Sequence, residues 1–144
     1  MKPIKKRVLV VSADAPFKEL VGEVLRSYGH TVFLADTGYR ALRDVKDNLF
    51  DAVVLDHETP FMKHRSMSES RDTLQAITDQ NPFLPVVLTC RSRNALDHST
   101  LLMADMVLET PVKYSALVDA VETLLNETLR ERAHRKAEDV RVFI

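Results

Sequence analysis

The sequence has a single cysteine, Cys90, in 144 residues. A disulfide within the chain is excluded, and a reducing compartment is the natural reading. There are three glycines, with no G-x-G-x-x-G and no P-loop among them. A glycine-rich cradle for phosphate is excluded with them. No apolar run approaches the roughly 18 residues that cross a bilayer. The basic start "MKPIKKR" is followed by only four apolar residues, Val8 to Val11, so no signal peptide is expected. The formal net charge of −1 gives no global field for nucleic acid or a membrane surface. The five histidines (His30, His57, His64, His98, His134) show no H-x-x-x-H spacing, so no zinc site is expected. These absences predict a soluble, cytoplasmic protein that binds neither nucleic acid nor membrane.

What is present is a globular composition, 45% apolar and 28% charged, in a length suited to one domain. Five short β-prone runs recur: "RVLVV" (7–11), "TVFLA" (31–35), "DAVVL" (51–55), "PVVLT" (85–89) and "DMVLE" (105–109). They are too far apart for hairpins, and helical patterns fill the gaps. The stretch 15–29 puts Phe17, Leu20, Val21, Val24, Leu25 and Tyr28 on one stripe, with Pro16 in its first turn and Gly29 at its end. Helices are also expected over 38–48, 68–82, 94–104 and, as one long element, 114–139. Strands 1, 3 and 4 are almost wholly apolar, as parallel strands covered on both faces are. The expectation is an α/β fold: (βα)5, a doubly wound parallel sheet in the flavodoxin-like order 2-1-3-4-5. Sites in such sheets form beyond the carboxyl ends of strands 1 and 3. Asp56 stands there, at the end of the stretch "DAVVLD".

"VLVVSADAPFKELV", "DAVVLDHETPFM", "VVLTC" and "ADMVLETP" occur in that order. Together they resemble the receiver domain of bacterial response regulators, over about residues 6–126. The resemblance implies a phosphoryl group passed from a partner histidine kinase to an aspartate ending strand 3. Asp56 is the matching position, with Pro60 and Met62 beyond it. It further implies an acid pair after strand 1 that helps hold Mg²⁺, a hydroxyl ending strand 4, a lysine before a proline after strand 5, and an aromatic on strand 5. Thr89 matches the hydroxyl. The acid pair falls on Ser12 and Ala13, the lysine on Thr110 and the aromatic on Val107. Asp56 and Thr89 are kept; the metal-holding acids, the lysine and the switch aromatic are not.

Mg²⁺ wants near-octahedral oxygen ligands, usually with one or two carboxylates, so no cofactor is expected, or Mg²⁺ held only weakly. Asp14 and Glu58 are the candidates to compensate, with Asp56 itself, if a metal is held. Asp14 is better suited to cap the first helix, and Glu58 to a solvated loop. An acid in a partly buried cleft needs a partner, and Arg91 and Arg93, just after strand 4, are expected to supply one. Cys90 is expected to be buried and inert. The polar loop 63–70, "KHRSMSES", leaves the same end of the sheet.

Residues 127–144 are expected to extend the last helix, with mixed charges suited to solvent, and to end in an apolar tail, "VRVFI". No output module is expected after it in this chain. The functional expectation is a degenerate receiver, a protein-interaction module in phosphorelay signalling rather than an enzyme. Its surface would be helix 4, strand 5 and helix 5, its partner a histidine kinase or other signalling protein. A homodimer through that surface or the C-terminal extension is the further expectation. The alternatives are a working phosphoacceptor at Asp56 and, from the fold alone, a flavodoxin-like cofactor binder.

Overall fold

The β-branched runs form five strands in a computed structural model that describes residues 5–63 and 70–142. They are β1 (Arg7–Val11), β2 (Thr31–Ala35), β3 (Ala52–Asp56), β4 (Val86–Cys90) and β5 (Met106–Glu109). All pair in parallel, in the order β2-β1-β3-β4-β5. β3, β4 and β5 each begin one residue later than expected, and Asp56 is the last residue of β3.

Side chains alternate across each strand, which divides the core in two. Leu9, Val11, Val53, Leu55 and Leu88 face one side, under Leu74 and Ile77. Val8, Val10, Ala52, Val54 and Val87 face the other, with Val21, Leu25, Leu117, Val121 and Leu124. By the same alternation Ser12, Asp56 and Thr89 continue the second face beyond its apolar rows.

The helices are α1 (Ala15–Ser27), α2 (Gly38–Asp47), α3 (Ser70–Gln80), α4 (His98–Met103), α5 (Tyr114–Asn126) and α6 (Leu129–Val142). The α1 stripe is narrower than expected, because Leu20 and Tyr28 are exposed and only Val21, Gly22 and Leu25 are buried. Gly29 takes a φ of +93°, the left-handed conformation that glycine adopts without strain. Gly38 meets a steric demand: a Cβ there would lie 2.0 Å from the Thr73 hydroxyl and 2.8 Å from the Phe61 ring. That contact brings the start of α2 against the loop after β3, where the Gly38 amide donates to the Pro60 carbonyl.

Two helical expectations need correction. The segment 94–104 is a 3-10 turn, Arg93–Ala95, followed by the short α4. Asp97 divides them because its Oδ1 accepts from the Thr100 amide at 2.8 Å and caps the new helix. The segment 114–139 is also two helices. Glu127 is extended, and Thr128 with Glu131 forms a reciprocal capping box. The Glu131 amide donates to Thr128 Oγ1 at 3.0 Å, and the Thr128 amide to Glu131 Oε1 at 3.3 Å. Leu129 therefore leaves the apolar stripe of α5 and is exposed. Residues 64–69 of the polar loop lie outside the described residues, as do the last two of the apolar tail. Among the described residues no helix is long and apolar enough to cross a membrane.

Candidate functional site

The site is built where β1, β3 and β4 end. Asp56 and Thr89 are register partners in β3 and β4. The chain turns away at once: the His57 amide donates to the Thr89 carbonyl at 2.8 Å, and the Thr59 amide to the Asp56 carbonyl at 3.0 Å. Asp56 is half-buried. Ser12 Oγ donates to Asp56 Oδ2 at 2.9 Å, and the Glu58 amide reaches Oδ1 at 3.3 Å. Ser12 is fully buried and its oxygen also accepts the Asp14 amide at 3.1 Å. Its hydroxyl is thus used in both directions.

A cleft of about 610 Å³ opens over Asp56. Ala13, Asp14 and Phe17 form one wall, Glu58 and Arg91 another, and Thr110, Pro111, Val112 and Tyr114 the third. The aromatic lining, Phe17 and Tyr114, was not visible as a site feature in the sequence. Phe17 is visible there only as one of the apolar residues of the α1 stripe. Thr89 Oγ1 is buried and, among the described residues, has no hydrogen-bond partner; it stands on the face of the sheet that carries Asp56.

The candidate compensating residues fall differently. Asp14 caps α1, its Oδ1 accepting from the Phe17 amide at 3.2 Å. Glu58 lies 4.0 Å from Arg91 Nε, both side chains well exposed. Arg93 turns away to the edge of the sheet, where its guanidinium donates to the Val107 carbonyl and its amide to Glu109 Oε2. The expected arginine partner for Asp56 is therefore not formed. Arg91 lies exposed beside Glu58, and Arg93, after the 3-10 turn, bonds β5. Burial, with Glu109 nearby, pushes the Cys90 thiol above its ordinary pKa, so it is neutral and poorly reactive. His57 Nδ1 pairs with the buried Ser70 Oγ at the start of α3, a contact the sequence did not suggest.

Mg²⁺, which the resemblance implies, can be tested against these donors. Asp56 offers one carboxylate. Asp14 is turned to its helix, Ser12 gives a neutral oxygen whose proton is directed at Asp56, and Ala13 gives nothing. Among the described residues no three His, Cys, Asp or Glu side chains converge on a common point. A dication that prefers several anionic oxygens at short, regular distances does not fit this set.

No family model matches the chain. The transcriptional regulatory protein ZraR of Escherichia coli is 32% identical over 81 residues, 56% of this chain and 17% of ZraR. The sensor histidine kinase GacS of Pseudomonas protegens is 27% identical over 135 residues, 92% of this chain and 15% of GacS. The chain thus spans about a sixth of the length of each of these curated relatives. Among solved structures, a CheY-like receiver domain from Methanospirillum hungatei superposes with a TM-score of 0.73 at 18% identity, covering 92% of this chain and 99% of that one. The response regulator TrrA of Thermotoga maritima, solved in complex with Mg²⁺–BeF, gives 0.72 at 24%, covering 83% and 98%. The chain has the CheY-like fold of response-regulator receiver domains, and its sequence resembles theirs.

Proposed function

We propose that the chain is an atypical receiver domain, acting in phosphorelay signalling as a protein-interaction module with little or no Mg²⁺-dependent phosphorylation. The observation that carries this reading is the hydrogen bond from Ser12 to Asp56. A neutral hydroxyl, its proton given to Asp56, stands where the resemblance calls for a metal-holding acid. Weakening the support of a metal ligand costs about 10–100-fold in affinity. Taking that as a floor for each of two missing acids gives a deficit of about 10²–10⁴. Phosphoryl transfer rests on positioning and charge stabilisation, and losing one oriented donor costs about 10²–10³ in rate. Thr110 in the lysine position adds that loss.

The partner would be a histidine kinase or another signalling protein. The surface offered to it is α4, β5 and α5, where a groove of about 460 Å³ is lined by Leu101, Leu102, Met106 and Val107. Val107 there replaces the aromatic through which such domains couple site to surface. A homodimer through this surface or through α6 is part of the same proposal.

A second reading, a working phosphoacceptor, is favoured by one feature: Asp56 and Thr89 are adjacent, and among the described residues the Thr89 hydroxyl has no partner. A Mg²⁺ titration followed by amide NMR at Asp56, Glu58 and Thr89, with and without beryllofluoride, separates the two. The proposal expects no saturable response at millimolar Mg²⁺. Saturation there, with a beryllofluoride adduct on Asp56, would establish the second reading instead.

A further inference from the structure

The groove between α4 and β5 is tied to α6, at the amino end of the sheet. Asp105 stands between those two elements and lines the groove beside Leu101, Leu102, Met106 and Val107. Its side chain is only 2% exposed and holds three donors: Arg135 at 2.9 Å, Lys136 at 3.1 Å and the Val86 amide at 2.6 Å. Its own amide donates to the Val86 carbonyl at 2.9 Å. One carboxylate thus joins α6 to the first residue of β4 and to the turn that leads into β5.

α6 itself is lightly held. From 129 to 137 no residue is buried, and only Arg132, Arg135 and Lys136 are partly covered. All three are cations. Arg132 and Arg135 meet Glu127, and Arg132 also reaches the Leu124 and Phe83 carbonyls. Ion pairs open to solvent are weak and screened by salt. Glu127 is extended, with φ −71° and ψ 132°, and α6 carries its own cap in Thr128 and Glu131. The helix can therefore swing about Glu127 without unwinding itself or α5. Once it leaves, Asp105 is a buried carboxylate without a cation, which is unfavourable. The carboxylate turns to solvent, and the Val86 amide and the turn into β5 lose what fixes them.

We propose that α6 is a releasable strap that sets the order of the α4–β5 groove from the amino end of the sheet. Docked, it neutralises Asp105 and fixes the groove; released, it loosens β5 and α4. This rests on the interaction-module reading and names how the module is regulated. The route to the groove from Asp56 has Thr110 and Val107 where the resemblance implies a lysine and an aromatic. The route from α6 is continuous in hydrogen bonds.

The test reads amide NMR shifts and amide exchange in the intact chain, across Thr128→Ala, Glu127→Gln and the double variant Arg135→Gln, Lys136→Gln. Exchange in residues 129–136 is expected to quicken along the series. The amides of Leu101, Leu102 and Val107 should move with it on one line, as a shift between two states requires. In the double variant their exchange should rise about tenfold or more, because an unpaired buried acid is left. Arg135→Lys, which keeps a cation on Asp105, should leave the groove near its native spectrum. Ser12, Asp56 and Thr89 should hold their shifts throughout. Thr128→Ala and Glu127→Gln keep Asp105 and its cations, so the comparison stands even where the double variant does not fold. An α6 that loosens while the groove stays unmoved overturns the inference. So does a groove that loosens only together with Ser12, Asp56 and Thr89, which is a loss of global stability. A beryllofluoride adduct on Asp56 overturns the interaction-module reading alone and leaves the coupling of α6 to β5 as measured.

Discussion

Two aspartates stand at opposite ends of the sheet and are treated in opposite ways. Asp105, just before β5, has a side chain only 2% exposed. It takes Arg135 at 2.9 Å, Lys136 at 3.1 Å and the Val86 amide at 2.6 Å. Asp56, at the end of β3, takes one hydroxyl and one amide. The cations at the amino end come from α6, several of whose side chains make polar contacts with the body. Arg132 and Arg135 both bond Glu127, and Arg132 also donates to the Phe83 and Leu124 carbonyls. A buried acid held by two cations is part of the scaffold; among the described residues Asp56 has no cation partner. The difference separates a carboxylate neutralised within the fold from one that is not.

The largest expected effect follows from that contrast. Asp105→Ala removes the acceptor for two cations and an amide. Breaking a buried pair costs about 3–5 kcal/mol, and the partial solvent access of Arg135 and Lys136 lowers that to about 2–3. Asp56→Ala should cost about 1 kcal/mol or less, one ordinary hydrogen bond. Denaturant midpoints of the two variants measure both. Equal losses would erase the distinction between the two ends.

A smaller effect is expected at Thr128. Its hydroxyl and Glu131 cap α6, and Thr128→Ala should cost about 1 kcal/mol. Amide exchange in residues 129–136 should quicken while α5 keeps its protection. If α5 loosens equally, the two helices are one unit and the break at Glu127 has no energetic meaning.

This break shows where sequence reasoning runs out. The T-x-x-E of "TLRE" was present to be read, but it is embedded in a stretch with strong helix formers on both sides, so one long helix was the simpler reading. The strands were legible because their β-branched runs are bounded and widely spaced. Their facing was not, since β1, β3 and β4 are apolar on both sides and carry no alternation to orient Asp56. The departures at Ser12, Ala13, Thr110 and Val107 could be read from position along the chain. The partners of Arg91 and Arg93 could not, because they depend on a 3-10 turn at Arg93 and on an acid, Glu58, brought near from another strand end. Arg132 reaching the Phe83 carbonyl, 49 residues away, has no local signature at all.

Acidification should weaken the hold of Glu127 on α6. Hydrogen bonding to Arg135, and then to Arg132, holds the Glu127 carboxyl below its ordinary 4.5, against the opposing effect of burial. A carboxylate with a lowered folded value stabilises the fold in full above the unfolded value. That contribution is lost as pH falls through the lowered one. The anchoring of α6 through Glu127 should therefore weaken only below about pH 4.5, with Glu127→Gln removing that part of the pH dependence.

The smallest effect is expected at Asp97, the cap of α4. The Thr100 side chain and amide, then the Ser99 hydroxyl, bring its carboxyl from 3.8 to about 2. The same direction applies: the cap is complete above 3.8 and is lost as pH falls through about 2. Its side chain is 49% exposed, so solvent screens the charge and little global stability is at stake. A carboxyl NMR titration is the proper readout, with a midpoint near 2 in the native chain and a higher one in Ser99→Ala. An ordinary midpoint near 3.8 would mean that the Thr100 bonds do not persist in solution. α4 would then frame the groove beside β5 without a fixed first turn, and the surface proposed for partners would be less ordered than the anchored end of the sheet.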